Sequence, residues 1–308
     1  FYLFCSVVVW QVDDGDDEDV AFFAVYDGHG GKETSLFLKH NLHLHILNQL
    51  KNRNNRNDVH SSILQGCKSC DMCCGETSGS TAVLCLATRN TLWFANVGDS
   101  EAILSVHGKA VPMSKRHRPC ECNQAGSKCQ CPEKLRIEEA GGFVMRKRIM
   151  GLLAVSRYGC FLCILHVQHI VEHIFFSRLL CRYRMRSERK TFLWFWFFFF
   201  VPPYFFRAFG DVDSKPTHPN STLGTYGGRY TGDFVISTPY ITSQPITEST
   251  EFVVLACDGL FDVMTYVTSV CMLHVGGIRD FPSRSQVSKY RACTEAFVVL
   301  LFDLCFSP

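Results

Sequence analysis

The chain has 308 residues, and its 31 lysines and arginines nearly balance its 29 aspartates and glutamates, for a formal net charge of +2. A chain of this length can bury a substantial hydrophobic core, as one large domain or two smaller ones. The balanced charge excludes a strongly basic surface of the kind that attracts nucleic acid or an anionic membrane. We therefore expect no nucleic-acid partner and no membrane association.

Cysteine usage and the N-terminal segment indicate the compartment. There are 17 cysteines, a high and odd number. Residues 1–10 are apolar but lack the basic start and the cleavage site of a secretory signal. Free thiols in a reducing compartment are therefore favoured over a disulfide framework. We expect an intracellular monomer, cytoplasmic or nuclear. Because the sequence begins without methionine, we interpret it as a partial chain.

The first predicted strand ends at an acidic residue. An acidic run at 13–19 is predicted to be a solvated loop, with metal ligation as the alternative. The apolar residues 22–26 then predict a buried strand. Asp27-Gly28 is expected to turn the chain sharply, because glycine tolerates the positive φ angles of such turns. A carboxylate at the end of a rigid strand can hold a metal ion, although Asp-Gly alone is more typical of a hairpin.

A helix is predicted over residues 32–50, where leucine or isoleucine recurs every four residues. Its histidines at positions 40, 43 and 45 are expected to be solvated rather than to bind metal. The polar residues 52–58 are predicted to form a loop.

Two groups of cysteines have the local density of a zinc site. The first comprises Cys67, Cys70, Cys73 and Cys74, and the second comprises Cys120, Cys122, Cys129 and Cys131. Thiolates bind zinc tetrahedrally, but structural sites usually have Cys-x-x-Cys pairs set well apart. Free loop thiols are therefore the favoured interpretation, with structural zinc as the alternative.

The middle of the chain predicts four short strands, at residues 82–86, 91–97, 102–106 and 109–113. Tight turns separate the first two strands from each other and the last two from each other, and strands joined in this way must be antiparallel. Asp99 follows the second strand, where a solvent-facing turn acid is equally typical. A short helix is predicted at 132–140, with Gly141 as its C-cap.

A second strand ends in the same way as the first. Residues 252–256 are apolar, Asp258-Gly259 follows them, and Asp262 lies four residues after Asp258. If a helix begins at Leu260, Asp262 lies in its first turn, close to Asp258. Two strand-terminal aspartates, Asp27 and Asp258, that converge in the fold would form an oxygen-only pocket suited to magnesium or manganese.

These motifs occur together in a known family. Residues 25–31 and 255–262 resemble the two signature motifs of the metal-dependent serine/threonine phosphatases, the PP2C (PPM) family. Further motifs follow in the family's order: Gly79-Ser80-Thr81-Ala82, Ala95-Asn96-Val97-Gly98-Asp99-Ser100, Glu138-Glu139-Ala140-Gly141-Gly142 and Leu153-Ala154-Val155-Ser156-Arg157. The resemblance implies an α+β fold of two packed antiparallel β-sheets flanked by helices, an α-β-β-α sandwich. It implies hydrolysis of phosphoserine and phosphothreonine on proteins, and it places Asp99 with Asp262 at a further, weaker metal position.

The residues themselves suggest how such a site would work. Asp27 would bridge two cations, magnesium or manganese, with Asp258 on one of them and the Gly28 carbonyl on the other. Water shared between two cations loses a proton readily and would attack phosphorus in line. His29 is the candidate to protonate the departing serine or threonine oxygen, with a water-facing turn residue as the alternative.

The sequence departs from the family pattern at both ends. No arginine precedes Asp27, and the family's upstream Glu-Asp pair would fall near Phe4 and Cys5. Near the C-terminus, Asp303 is not followed by the asparagine of the family's last motif. The alternative function is therefore a catalytically inactive protein that binds phosphoproteins, or a non-functional partial gene product.

Residues 158–207 interrupt the remaining family motif. Their removal joins Ser156-Arg157 to Ala208-Phe209-Gly210-Asp211 and restores a continuous Ser-Arg-Ala-Phe-Gly-Asp. We interpret the segment as a retained intron translated in frame, with a membrane helix as the alternative, although its apolar run at 191–206 is shorter than the roughly 20 residues a span needs. The sequence thus predicts a phosphatase domain at 21–264 interrupted by this insert, with atypical segments at 1–20 and 265–308.

Overall fold

The computed structural model describes residues 2–12, 18–51, 58–117, 132–145, 148–149, 207–223, 230–262, 264–275 and 297–301. The predictions for acidic residues 13–17, for the cysteines at 120–131, for insert residues 158–206 and for Asp303 lie outside this part. Within it, no helix combines the length and the apolar character that crossing a membrane requires.

The described elements alternate between strands and a few helices. In chain order they are β1 Tyr2–Val12, β2 Glu18–His29, α1 Glu33–Lys51, α2 Val59–Cys73, β3 Gly79–Ser80, β4 Ala82–Ala87, β5 Thr91–Val97, β6 Glu101–Val106, β7 Lys109–Pro112, α3 Pro132–Glu139, β8 Val144–Met145, β9 Arg148–Ile149, β10 Phe209–Gly210, β11 Tyr240–Pro245, β12 Thr250–Ala256, α4 Asp258–Phe261, α5 Tyr266–Val275 and β13 Phe297–Leu301. The predicted short strands β4 to β7 and the helices α1 and α3 are confirmed within one residue at most ends.

The described strands form two large antiparallel sheets and a small two-stranded sheet of β8 and β9. The first has the order β10-β3-β2-β4-β5-β11, with β1 also paired to β2, and the second has the order β13-β12-β6-β7. The β6–β7 hairpin turns at His107 and Gly108, which both have positive φ, 50° and 70°. The pairing of β4 with β5 and of β6 with β7 is antiparallel, as the short connections predict.

Side-chain alternation along the strands divides the core into layers. Phe22 and Tyr26 of β2 pack with residues of α1 and α2 on the outer face of the first sheet. Val25 points the other way and packs with Val253 of β12, between the two sheets. Val254 faces outward from the second sheet toward apolar residues of α4 and α5. The fold is therefore the α-β-β-α sandwich that the sequence predicted.

Helix α2 corrects the interpretation of the first cysteine group as loop thiols. Asp58 caps the helix, because its Oδ1 accepts a hydrogen bond from the Ser61 amide at 2.8 Å. Cys67 and Cys70 lie on the buried face of α2, in the core that it shares with α1. Burial raises the pKa of both thiols, so that they stay protonated. These two cysteines serve as small apolar core residues.

The histidines of α1 are only partly solvated. His40 is exposed, as predicted, but His43 and His45 are half-buried, and burial lowers the pKa of both. His45 Nδ1 lies 3.0 Å from the Ser69 hydroxyl of α2, which adds a polar contact between the two helices. The prediction of a solvated face therefore holds for His40 alone.

Gly66 allows α1 and α2 to approach closely. A Cβ at this position would lie 2.6 Å from Ile46 Cγ1 and 2.7 Å from Ile46 Cα. We predict that Gly66→Ala lowers the free energy of unfolding by about 1–3 kcal/mol through overpacking. Urea denaturation measures this change. The control is Gln65→Ala on the exposed face of α2, for which we expect a change within about 0.5 kcal/mol. A stabilised Gly66→Ala variant would mean that helix propensity, not packing, governs this position.

Candidate functional site

Strand β2 carries the first predicted site residues and continues beyond the expected turn. It ends at His29, and Gly28 lies between Tyr2 of β1 and Ser80 of β3 in the sheet register. The positive φ falls at Gly30, 70°, and not at Gly28. The prediction of a turn at Asp27-Gly28 is therefore wrong, because strands pair with this segment on both sides.

Strand alternation fixes the direction of Asp27. Asp27 has the same parity as Val25, which lies between the two sheets, so its carboxylate belongs to the inner face at the end of that layer. Asp27 is buried, and its carbonyl accepts a hydrogen bond from the Thr81 amide at 2.9 Å.

Asp258 reaches the same place from the opposite sheet. Strand β12 ends at Ala256, and Cys257 follows as the N-cap of α4. The helix begins at Asp258, two residues earlier than the sequence suggested. Asp262 therefore lies at the end of the helix, where its amide donates a hydrogen bond to the Asp258 carbonyl at 2.8 Å. The ligand atoms of Asp27, Cys257 and Asp258 all lie within 4.8 Å of one another, and all three residues are buried.

This group of ligand atoms fits the expected cation. Two buried carboxylates supply hard oxygen donors, which magnesium and manganese prefer. The Cys257 thiol is a softer donor that the sequence did not single out. One signal was available: Cys257 has the inner-face parity of Val253 and Leu255 in β12. The expected convergence of Asp27 and Asp258 is observed, and their role as metal ligands stays a prediction.

Asp99 is connected to strand β2 through its neighbour Ser100 and through Thr81. It is buried and follows Gly98, whose φ of 99° turns the chain from β5 in the first sheet to β6 in the second. The Thr81 hydroxyl lies 2.7 Å from the Ser100 hydroxyl, and the Thr81 backbone amide donates a hydrogen bond to the Asp27 carbonyl. Among the described residues, the Asp99 carboxylate is not part of the group within 4.8 Å. Its place at a further metal position stays a prediction.

Asp262 has a cationic partner within the protein. Arg116 Nη1 donates a hydrogen bond to Asp262 Oδ1 at 2.8 Å, and the same guanidinium binds the buried carboxylate of Glu101. Glu101 also accepts a hydrogen bond from the Tyr266 hydroxyl, and burial together with this contact raises the pKa of Tyr266 to about 12. In the described residues Asp262 also lies outside the 4.8 Å group, so its metal role stays a prediction.

His29 is buried and pairs with a residue far away in the sequence. Its Nε2 lies 2.7 Å from Asp211 Oδ2, and about 5% of each residue is exposed. The water-facing alternative for His29 is therefore wrong. Asp211 adopts a left-handed conformation, φ 50°, immediately after Gly210. In the sequence Asp211 stands out only as part of a motif, and Gly-Asp at a strand end is the one local signal for this contact.

A buried ion pair supports the Asp211 segment. Lys215 Nζ lies 2.7 Å from both carboxylate oxygens of Asp71 in α2, and Asp71 Oδ1 also accepts the Gly210 amide hydrogen at 2.9 Å. Asp71 and Lys215 are both buried. Nothing in the local sequence marks this pair, because its members are 144 residues apart.

His117 supports the segment that contains Asp99. Its amide donates to the Gly98 carbonyl at 2.9 Å, and its neutral ring accepts the Gly98 amide hydrogen at Nδ1, 3.1 Å away. Burial and the positive charge of Arg207 lower the pKa of His117 to about 4, against the opposing charge of Glu133. The ring therefore stays neutral in the folded protein at neutral pH.

The two packed antiparallel sheets carry a pair of aspartates at one shared end. This arrangement defines a candidate binding site for a hard divalent cation. A model of the family described as protein phosphatase 2C matches residues 5–164 and 206–276. The match covers most of the chain, so the chain belongs to the protein phosphatase 2C family. Residues 165–205, which fall within the predicted insert, are unmatched.

Individual relatives have names consistent with this family. Protein phosphatase 2C homolog 2 of Aspergillus fumigatus is 28% identical over 253 residues, which cover 80% of this chain and 43% of that protein. Probable protein phosphatase 2C 59 of Oryza sativa subsp. japonica is 30% identical over 273 residues, with coverage of 85% and 59%. The chain thus spans about half the length of these relatives. The crystal structure of serine-threonine phosphatase 2C from Toxoplasma gondii aligns with a TM-score of 0.49 at 17% identity, covering 87% of this chain and 81% of that one.

The Asp71–Lys215 pair generates a stability prediction. Asp71→Asn leaves the buried ammonium of Lys215 without its carboxylate, and we expect a loss of about 3–5 kcal/mol in the free energy of unfolding. Chemical denaturation measures it. Asp213→Asn is the matched control, because Asp213 is exposed in the same segment, and should change stability by less than about 0.5 kcal/mol. Equal, small effects of both substitutions would contradict a structural role for the pair.

His117 generates a pH prediction. Its pKa falls from 6.5 to about 4 on folding, so between these values the unfolded chain binds a proton that the folded protein does not. Stability should therefore fall as the pH decreases from 6.5 to 4, by about 3 kcal/mol for this residue. Unfolding free energies measured across this range should depend less steeply on pH in His117→Gln. The slope should persist in His40→Gln, where the ring is exposed. Parallel profiles for the wild type and His117→Gln would contradict the assignment.

Proposed function

We propose that the chain is a metal-dependent protein serine/threonine phosphatase that hydrolyses phosphoserine and phosphothreonine in protein substrates. Membership of the protein phosphatase 2C family supports the reaction class. The observation that carries the proposal for this chain is the convergence of the buried Asp27 and Asp258 with their ligand atoms within 4.8 Å. Buried carboxylate oxygens this close together are the hard donors that a divalent cation prefers, so the arrangement favours a bound positive ion.

The residues have separate roles in this proposal. Asp27 and Asp258, with the Gly28 carbonyl, would hold two magnesium or manganese ions, and Asp99 with Asp262 would contribute to a further position. When bound, such ions lower the pKa of water and offset the negative charge of the phosphate. The β2 register and the hydrogen bond from the Thr81 amide to the Asp27 carbonyl fix the backbone that carries the Asp27 carboxylate.

His29 is the proposed proton donor to the departing oxygen. It lies two residues after Asp27 on the same strand, so both side chains have the same parity. Serine and threonine alkoxides are poor leaving groups, and a positioned acid that protonates them contributes about 10²–10⁴-fold to the rate of such reactions.

The ion pair between Arg116 and Asp262 affects how strongly a metal ion would bind at the proposed Asp99–Asp262 position. The guanidinium already pairs with Asp262 and Glu101, so a cation binding to Asp262 would compete with it. We therefore expect the Asp99–Asp262 position to bind metal more weakly than the Asp27–Asp258 position.

The proposal predicts a manganese-dependent activity that the two central aspartates control. With a phosphoserine peptide, Asp27→Asn and Asp258→Asn should each lower kcat/KM by about 100-fold or more, because several kcal/mol of charge stabilisation is lost. The same variants should bind manganese more weakly in calorimetry, whereas Asp213→Asn, which alters an exposed carboxylate, should match the wild type.

Two outcomes would contradict the proposal. Hydrolysis that persists in both variants would show that the two aspartates are not part of the active site. Binding of the phosphopeptide without turnover, at any manganese concentration, would favour the inactive phosphoprotein-binding protein.

A further inference from the structure

A network of charged side chains around Arg116 connects four parts of the fold. Arg116 Nε donates a hydrogen bond to Glu101 Oε1 at 2.5 Å, and Nη2 of the same guanidinium pairs with that oxygen. Arg116 Nη1 donates a hydrogen bond to Asp262 Oδ1 at 2.8 Å. The other carboxylate oxygen of Glu101 accepts a hydrogen bond from the Tyr266 hydroxyl. One cation therefore serves two carboxylates, at the start of β6 and at the end of α4.

The backbone on both sides of Arg116 is anchored. The Lys115 amide donates a hydrogen bond to Asn96 Oδ1 at 3.2 Å, and the Lys115 carbonyl accepts one from Asn96 Nδ2 at 2.7 Å. On the other side, the His117 amide donates a hydrogen bond to the Gly98 carbonyl at 2.9 Å. The guanidinium is therefore carried by a segment that is fixed to the end of β5.

The two ends of the network differ in their access to solvent. Only 2% of the Glu101 side chain is exposed, compared with 26% for Arg116 and 22% for Asp262. A buried carboxylate needs a cationic or hydrogen-bonding partner, so Glu101 retains the guanidinium. The contact between Arg116 and Asp262 is accessible to ions in solution, and it is the contact at which a dissolved cation can compete.

The charge on Arg116 is permanent. An arginine side chain does not lose its proton in a protein, so a positive charge lies beside Asp262 at every pH at which the protein is folded. A divalent cation bound to Asp262 would be repelled by this charge at a distance of a few ångströms. Among the described residues, neither Asp99 nor Asp262 belongs to the group of ligand atoms within 4.8 Å of one another. As they stand, these two residues therefore do not fit a cation unless Asp262 changes its partner.

We infer that Arg116 is a built-in competitor for divalent cations: by pairing with Asp262, its guanidinium sets the metal affinity of the Asp99–Asp262 position. The inference rests on the proposed function for the existence of that position, and on the 2.8 Å contact for its geometry. Its consequence is a metal dependence in two stages. The Asp27–Asp258 position fills first, and the Asp99–Asp262 position fills only at a cation concentration high enough to displace the guanidinium.

The test is a manganese titration of the full chain, followed by calorimetry and by the electron spin resonance of the free ion. Arg116→Gln should tighten the weaker class of manganese sites by about fivefold or more, because a competing ion pair is lost. The tighter class should change by less than about twofold.

Lys115→Gln is the matched control for Arg116→Gln. It removes the same charge from the neighbouring residue, whose side chain is exposed and whose hydrogen bonds to Asn96 involve only its backbone. We expect it to change the weaker class by less than about twofold. Equal gains in Arg116→Gln and Lys115→Gln would indicate a general effect of net charge and would overturn the inference.

The gain must also depend on Asp262. In the Asp262→Asn background, the additional Arg116→Gln substitution should leave manganese binding unchanged, because the guanidinium no longer has a metal-binding carboxylate to compete for. A gain that persists in this background would overturn the inference.

A second variant covers a loss of stability in Arg116→Gln, which leaves the buried Glu101 carboxylate without its guanidinium. The double variant Arg116→Gln/Glu101→Gln removes both charges, and it should bind manganese at the weaker class about fivefold more tightly than Glu101→Gln alone. Unchanged binding in both Arg116 variants would overturn the inference. Absence of the tighter class in the wild type would instead contradict the proposed function, and an Asp262-dependent gain on removal of Arg116 would still support the competition.

Discussion

The packing of the two sheets against each other determines whether this protein has a site at all. Asp27 is carried by β2 in one sheet and Asp258 follows β12 in the other, so no local interaction brings them together. The inter-sheet core, which includes Val25 and Val253, sets the distance between the strand ends. Because that core is close-packed, the spacing of the carboxylates is a property of the apolar layer beneath them.

A buried polar network supports the other side of the site. It connects α2 to the strand tips through Asp71, Lys215, Gly210, Asp211 and His29. Each charged member has a hydrogen-bonded partner, as burial requires, because an uncompensated charge in this position would cost several kcal/mol. The result is a rigid support for the His29 ring that does not depend on a bound cation or substrate.

Four acidic residues near the site form two electrostatic groups. Asp27 and Asp258 converge with their ligand atoms within 4.8 Å, an arrangement that favours a bound cation. Asp262 and Glu101 share the guanidinium of Arg116, which offsets part of their charge within the protein. This division places the proposed chemistry at the Asp27–Asp258 position and gives Asp262 a structural contact as well as its predicted metal role.

The sequence by itself determined the strands β4 to β7 and helices α1 and α3, because alternation, leucine spacing and turn residues are local signals. It missed α2, whose periodicity depends on cysteines and a glycine that pack on α1. It also placed a turn at Gly28 where pairing with β1 and β3 imposes a strand. Only the tertiary structure decided which partners the acidic and basic side chains have. The His29–Asp211 and Asp71–Lys215 pairs join residues more than 140 positions apart, and such contacts leave no periodic trace in a single sequence.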